Sequence, residues 1–178
     1  VKRMDLMEYY DSRQNILDIE RGTLFLLAEE LNRFKKEKGL KDFTDLLEDF
    51  IAKSLPGSLE VLFIDEAQDL SLIQWEMVRH LWKYAKKTYI AGDDDQAIFK
   101  WAGADVDHFI ALKEEVNDIK VLDQSYRIPG GPIHELSQKI INKVQNRFEK
   151  EYKPRDEIGI LKRYSDITQV DMSKGNWL

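Results

Sequence analysis

An apolar run that leads directly into two acidic residues is the feature that most constrains this chain. Residues 61–64 read Val-Leu-Phe-Ile, and Asp65 and Glu66 follow at once. Such a run is typical of a buried strand in a parallel sheet, and ligands of these sheets bind beyond the carboxyl ends of the strands. A nucleoside triphosphate there needs one carboxylate for Mg²⁺ and a second group that activates water. Asp65 and Glu66 are candidates for these roles. Taken alone, the same residues would also fit a buried strand followed by a solvated acidic turn.

A second polar loop follows the next predicted strand, residues 88–91. Within it, Gln96 offers a neutral amide that can hydrogen-bond a phosphate oxygen or an attacking water. Phe99 and Trp101 stand two residues apart and are suited to stacking on exposed bases, at about 1–3 kcal/mol each. The alternative for Trp101 is a core tryptophan that covers the edge of the sheet.

A third loop follows a predicted strand at residues 119–122 and contains Tyr126 and Arg127. Arg127 is a candidate for a γ-phosphate contact, because a guanidinium keeps its charge and bonds phosphate oxygens in pairs. Tyr126 is suited to stacking on a base or a ribose. The alternative for Arg127 is an ordinary structural salt bridge.

Strands and helices alternate along the chain. Helical patterns are predicted up to about residue 39 and at residues 43–53, 71–85, 104–116 and 133–149, and a fourth strand is predicted at residues 158–161. This order predicts an α/β fold with a parallel sheet flanked by helices and with right-handed crossovers. The polar loops should then face each other at one edge of the sheet.

Composition restricts the possible partners and compartments. The absence of cysteine excludes disulfides, thiolate metal sites and cysteine nucleophiles. No run of about eighteen apolar residues and no leader segment occurs, which predicts a cytoplasmic protein without a membrane partner. A net charge of −6 argues against extensive phosphate binding, but residues 139–163 hold eight Lys and Arg against four acids. A domain of this kind can still bind a single strand through aromatics and local cations.

Taken together, the three loops resemble the superfamily 1 helicases of the UvrD/Rep/PcrA type. The chain reads Asp-Glu-Ala-Gln-Asp at residues 65–69, Gly-Asp-Asp-Asp-Gln-Ala-Ile-Phe-Lys-Trp-Ala-Gly-Ala at residues 92–104 and Gln-Ser-Tyr-Arg at residues 124–127. These are similar in order and spacing to the Walker B, glutamine and Tyr-Arg motifs of that family. Residues 42–47, Asp-Phe-Thr-Asp-Leu-Leu, also resemble an element that precedes Walker B.

The resemblance implies a partial P-loop NTPase (RecA-like) fold and a role for each motif residue. Asp65 would hold Mg²⁺, Glu66 would polarise the hydrolytic water, and Gln96 would sense the γ-phosphate of ATP. Arg127 would act as an arginine finger from a second motor domain, and Tyr126 would stack on adenine.

The resemblance further implies contacts between single-stranded DNA and both Phe99 and Trp101, and a lesser coupling role for Gln68. Two departures from the family motif weaken the expected DNA contact. Phe99 stands where the family has tyrosine, and Ala102 stands where it has arginine, which removes a cation near the strand.

The resemblance also predicts how the chain divides. Residues 1–40 would be the tail of a helical insertion domain, residues 41–117 the second half of a first RecA-like motor domain, and residues 118–178 the start of a second. No Gly-x-x-x-x-Gly-Lys-Ser/Thr occurs in the sequence. We therefore expect a fragment of an ATP-dependent 3′ to 5′ DNA helicase or translocase that is inactive in isolation.

Two other functions fit parts of the sequence. A catalytically silent helicase remnant could serve as a binding module. A metal-dependent nuclease could use Asp65, Glu66, Asp93 and Asp95 as a two-metal cluster, but that would leave Gln96 without a role.

Overall fold

The computed structural model describes residues 6–11, 19–53, 57–171 and 173. It contains two compact units, Val1–Glu115 and Val116–Leu178. Parts of the predicted helical segment 1–40, namely residues 1–5 and 12–18, lie outside the described residues, as do residues 174–178. The predicted three-part division of the chain remains a prediction.

The first unit is built around one parallel pair of strands. Its elements are α1 (Leu6–Asp11), α2 (Arg21–Lys38), α3 (Phe43–Ile51), β1 (Leu59–Ile64), α4 (Leu72–Trp82), β2 (Ala85–Ile90) and α5 (Val106–Ala111). The second unit has β3 (Gln124–Gly130), α6 (Pro132–Ile141) and β4 (Lys153–Ile158), with β3 parallel to β4. These elements confirm the predicted α/β class.

The crossover β1–α4–β2 organises the first unit. Leu62 pairs in register with Thr88, and Ile64 pairs with Ile90, so both strands end at the same edge. α4 connects them and buries Trp75 with Ile73 and Val78. Because a parallel pair requires such a crossover, the strand–helix–strand order of the sequence is sufficient to predict this part of the fold.

Capping residues define the start of α3 and the end of α2. At the start of α3, the N–H of Asp45 donates to Asp42 Oδ1 at 3.0 Å and the N–H of Asp42 donates to Asp45 Oδ2 at 2.9 Å. This reciprocal capping box satisfies two backbone donors that the helix itself cannot. α2 ends at Gly39, whose φ of 65° is the left-handed conformation that glycine adopts readily.

The predicted strand at residues 119–122 is wrong. The strand of this region is β3, so Tyr126 and Arg127 lie within a strand rather than after one. Leu122 is 87% exposed, whereas the N–H of Lys153 donates to the carbonyl of Asp123 at 2.7 Å at the start of the β3–β4 pair. The apolar residues indicated a strand, but the available hydrogen-bonding partner determined where the strand lies.

The predicted fourth strand at residues 158–161 is displaced for a similar reason. β4 covers Lys153–Ile158, and Gly159 passes close beneath Ile133 and Pro129. A Cβ on Gly159 would lie 2.6 Å from Ile133 Cδ1. Within this segment only Gly159 packs closely against α6 and the end of β3, whereas Ile158 and Ile160 are 73% and 76% exposed.

The helices are shorter than the sequence predicts. α6 ends at Ile141 rather than near residue 149, and α5 covers only Val106–Ala111 before a single 3-10 turn. After α6 the backbone N–H groups of Lys143 and Val144 turn back to carbonyls three residues earlier, which tightens and ends the helix. None of the helices among the described residues has the length and apolar content needed to cross a membrane.

Candidate functional site

The paired acids lie directly beyond the carboxyl end of β1. Asp65 and Glu66 are both exposed, and the N–H of Glu66 donates to Asp65 Oδ1 at 2.9 Å. Glu66 has a φ of 50° and is the one non-glycine residue with positive φ in the described part of the chain. Backbone strain of this kind concentrates at functional sites, where the surrounding structure holds it in place.

The second loop leaves the same edge of the sheet. The N–H of Ala91 donates to the carbonyl of Ile64 at 2.8 Å, and the N–H of Ala67 donates to the carbonyl of Ala91 at 3.0 Å. These bonds continue the β1–β2 pairing into both loops. The prediction that the acidic loop and the Gln96 loop face each other is therefore confirmed.

Gln68 joins the two loops through its side chain. It is only 1% exposed. Its amide Nε2 donates to Glu66 Oε2 at 2.9 Å and to Asp69 Oδ2 at 3.3 Å, while its Oε1 accepts the N–H of Asp93 at 2.9 Å. A buried amide with all these partners holds both loops in one arrangement. The sequence alone gives it no distinguishing pattern beyond its place in the motif.

Gln96 is exposed and is oriented by Asp93, a role that the sequence did not predict. Gln96 Nε2 donates to Asp93 Oδ2, and the N–H of Asp95 donates to Asp93 Oδ1 at 3.2 Å. Gln96 Oε1 accepts no hydrogen bond from the described residues and is available to a ligand. The sequence feature that could have indicated this role is an aspartate at the start of a turn, because such a side chain commonly accepts a hydrogen bond from the backbone N–H two residues later.

Gly92 permits the close packing behind this loop. A Cβ at this position would lie 2.8 Å from Gln68 Oε1 and 2.8 Å from Phe109 Cζ. Any side chain would therefore displace either the bridging amide or α5. This close approach, rather than a left-handed backbone, is the reason for glycine here.

An ion pair joins α4 to the segment that follows α5. Arg79 binds Glu115 with two nitrogen–oxygen contacts of 2.7 Å, and its Nε lies 3.3 Å from His108 Nε2. The hydrogen bond from Arg79 holds the pKa of Glu115 below its usual value, and burial lowers the pKa of His108. The His108 ring also lies 4.8 Å from that of the buried Trp75. On the other side of α5, Phe109 packs behind Gly92.

The two predicted stacking residues are presented together on one 3-10 turn, Phe99–Ala102. Phe99 is 42% exposed and Trp101 is 82% exposed, with ring centroids 6.4 Å apart. The alternative of a core tryptophan at position 101 is therefore wrong. Lys100 lies between them in the sequence, and its side chain is 73% exposed.

Tyr126 and Arg127 are both exposed on β3 of the second unit. The backbone N–H of Arg127 lies 3.3 Å from Ser125 Oγ, but its guanidinium forms no ion pair with any described residue. The alternative of a structural salt bridge for Arg127 is thus not seen in this part of the chain. An exposed, unengaged guanidinium is available to an external anion.

The acids do not form a metal cluster of the nuclease type. In the described ranges, no group of three or more histidine or acidic side chains could hold a metal ion. Asp93 uses both carboxylate oxygens on its own loop. Asp65, in contrast, has one oxygen without a hydrogen bond, which fits Mg²⁺ held by a single carboxylate together with water and substrate phosphates.

Replacing Gln68 with leucine is expected to lower the free energy of unfolding of the first unit by about 1–3 kcal/mol, because it removes the buried amide that accepts from the N–H of Asp93 and donates to Glu66. Chemical unfolding followed by tryptophan fluorescence, to which the buried Trp75 of the first unit contributes, would measure this. The control is Asn32→Leu, an amide-to-leucine change at an exposed position of α2 in the same unit, expected to change stability by less than about 0.5 kcal/mol. Equal stability of the two variants would contradict the bridging role.

Known proteins match this chain in the region of the two loops. The model of the UvrD/REP helicase N-terminal domain family matches residues 6–117. The ATP-dependent DNA helicase srs2 of Schizosaccharomyces pombe is 30% identical over 149 residues, which is 80% of this chain and 17% of that protein. The ATP-dependent DNA helicase Rep of Escherichia coli is 33% identical over 82 residues, covering 45% of this chain and 12% of the relative.

A third relative shows the same pattern. The ATP-dependent DNA helicase Rep of Buchnera aphidicola subsp. Baizongia pistaciae is 28% identical over 119 residues, or 60% of this chain. The matched region is 18% of that relative. The chain therefore spans less than a fifth of the length of each of these three proteins.

Proposed function

This chain belongs to the UvrD/REP helicase N-terminal domain family, and from that membership we propose that it is part of an ATP-dependent DNA helicase or translocase. The whole protein couples ATP hydrolysis to movement along single-stranded DNA in the 3′ to 5′ direction and to separation of the duplex. The relatives whose names describe ATP-dependent DNA helicases support this proposal.

Two carboxylates carry the chemistry of hydrolysis in this proposal. Asp65 holds Mg²⁺, which neutralises charge on the phosphates when bound. Glu66 accepts a hydrogen bond from the attacking water and polarises it for attack on the γ-phosphate. Its hydrogen bond from Gln68 fixes the carboxylate without neutralising it.

The second loop senses the phosphate. Gln96 donates its remaining N–H to the γ-phosphate or accepts a hydrogen bond from the attacking water through its amide oxygen, while Asp93 holds the amide in place. Gln68 is hydrogen-bonded to both Asp93 and Glu66, so a movement of either loop displaces the other. This connection is the single observation that most supports the proposal, because it links a candidate base to a candidate sensor through one buried side chain.

Tyr126 and Arg127 complete the nucleotide contacts. Arg127 pairs with the charge that develops on the transferred phosphoryl group, a role suited to its planar, permanently charged guanidinium. Tyr126 stacks on the adenine ring. Both side chains are exposed and Arg127 is unengaged by any described residue, which supports this assignment.

Phe99 and Trp101 contact the bases of single-stranded DNA. Their turn is the next element after the turn that contains Gln96. A movement of Gln96 on binding or loss of the γ-phosphate is therefore transmitted to the DNA contact through a few residues of backbone. Stacking tolerates any base sequence, as a translocating enzyme requires.

Strand displacement by the intact protein tests this proposal. With ATP and Mg²⁺, we expect release of a fluorescently labelled strand from a duplex with a 3′ single-stranded tail, and no release from a duplex with a 5′ tail. The isolated 178 residues, which contain no P-loop sequence, are expected to be inactive in the same assay. Displacement without ATP, or from the 5′ tail alone, would contradict the proposal.

A further inference from the structure

The pairing of β3 with β4 is irregular in the middle of β3. Gln124 pairs with Lys153, and the next pair along β3 is Pro129 with Arg155. β3 thus takes five residues over a stretch that β4 covers in two, so three extra residues bulge out of the ladder. Bulges re-aim side chains and are over-represented beside active sites. Residues 125–128 are therefore presented by a bulge rather than by a regular strand.

We infer that Ser125 holds this bulge in shape and is thereby a positioning residue for Arg127 in ATP hydrolysis. The inference rests on the proposed function, in which Arg127 contacts the transferred phosphoryl group. Ser125 stands at the position that the Gln-x-Tyr-Arg motif leaves unspecified. The inference therefore assigns a role to a side chain that the motif itself does not explain.

The hydroxyl of Ser125 supplies hydrogen bonds that the ladder does not. Its Oγ accepts the backbone N–H of Ile128 at 3.0 Å and that of Arg127 at 3.3 Å. Neither of these two residues has a register partner among the described residues of β4. Because Ser125 is half-buried, solvent replaces its oxygen only incompletely. A serine hydroxyl bonded to its own following backbone fixes a local turn, and here that backbone carries the Arg127 side chain.

Both ends of the bulge are held by other residues. At its start, Gln124 Nε2 donates to the carbonyl of Ser125 at 3.0 Å and to the carbonyl of Pro154 at 3.2 Å, which joins β3 to β4. At its end stands Pro129, which has no N–H to offer the ladder and a fixed φ, as is common at bulges. The conformational freedom that remains lies between these ends, where Ser125 makes its two hydrogen bonds.

The bulge explains why two adjacent side chains of β3 are both exposed. Successive side chains of a regular strand point to opposite faces, so one of two neighbours on a covered strand is buried. Tyr126 is 83% exposed, and Arg127 next to it is also exposed, whereas Ser125 and Ile128 on either side are half-buried. The backbone that Ser125 fixes therefore departs from strand alternation at the two residues proposed to contact ATP.

ATP hydrolysis by the intact protein in the presence of single-stranded DNA tests the inference. Ser125→Ala is expected to lower kcat by about 10- to 100-fold, because a misplacement of about 1 Å costs up to about 10²-fold. KM for ATP should change much less, since the contact of Arg127 strengthens in the transition state. Ser125→Thr keeps the hydroxyl and suits an extended backbone, so it should restore most of the rate.

The matched control is Ser137→Ala. Ser137 is a half-buried serine on α6 of the same unit, and its Oγ donates to the carbonyl of His134 at 2.7 Å. Its replacement also removes a hydrogen bond from the second unit but should leave kcat unchanged. Equal losses of kcat for Ser125→Ala and Ser137→Ala would overturn the inference, because the effect would then reflect the stability of the unit alone.

Combining Ser125→Ala with Arg127→Ala shows whether the serine acts through the arginine. We expect the double variant to hydrolyse ATP as fast as Arg127→Ala alone, because no guanidinium is left to misplace. If Ser125→Ala lowers the rate by the same factor with and without Arg127, the inference is wrong. A large loss for Arg127→Ala beside an unchanged rate for Ser125→Ala would also overturn it and leave the proposed role of Arg127 standing. Strand displacement tests the helicase function independently of both variants.

Discussion

Replacing Arg127 with alanine in the intact protein is expected to lower kcat for DNA-stimulated ATP hydrolysis by about 10³- to 10⁵-fold, the range for loss of an arginine finger. The physical reason is that charge spreads over the γ-phosphate oxygens in the transition state, where a guanidinium makes paired hydrogen bonds. The exposed side chain has no partner among the described residues that would otherwise occupy it. KM for ATP should change much less, because the contact strengthens in the transition state.

Two variants make this test specific. Arg127→Lys is expected to recover little of the rate, because an ammonium cannot reproduce the planar fork. Arg155→Ala is the matched control, since Arg155 is also an exposed arginine of the second unit but is paired with Glu157 at 2.6 Å. A loss for Arg127→Ala no larger than that for Arg155→Ala would contradict the assigned role. Single-turnover hydrolysis with the nucleotide prebound measures the effect on the chemical step directly.

Replacing Glu66 with glutamine is expected to lower kcat by about 10²- to 10⁴-fold, the range for removing a general base. Glutamine has the same length and its amide oxygen can still accept the hydrogen bond from Gln68, so the loop should keep its arrangement. Binding of ATP should therefore persist while hydrolysis fails. Steady-state hydrolysis together with a fluorescent-nucleotide binding assay separates the two properties.

The control for this variant is Glu60→Gln. Glu60 is a highly exposed glutamate on β1 that pairs with Lys86, and its replacement should leave the rate unchanged. An intact protein that binds ATP but shows no hydrolysis even with Glu66 present would support a catalytically silent module instead. Hydrolysis that survives in Glu66→Gln would assign the base to another residue.

The position of the acids and of the glutamine loop could be predicted from the sequence. The apolar run before Asp65 and the strand before Gly92 are local patterns, and parallel pairing brings their ends to the same edge. The corresponding prediction failed for residues 119–122. Strand location there depends on the hydrogen bonds between Asp123 and Lys153, which are separated by many residues in the sequence.

Other properties of the site depend on packing that no local pattern describes. The burial of Gln68, the strained φ of Glu66 and the exposure of Trp101 each follow from what surrounds the residue in space. Asp93 also gained its role from the position of its neighbours, because its side chain orients Gln96 only within the folded turn.

The sequence by itself determined the α/β class, the parallel β1–β2 unit and the edge at which the candidate site lies, because hydrophobic periodicity and motif order act over short segments. Only the tertiary structure decided that Gln68 bridges Glu66 and Asp93 and that Trp101 is exposed rather than buried. Burial and hydrogen-bond partners are set by residues distant in the sequence, and the free energy of each contact depends on all of them together.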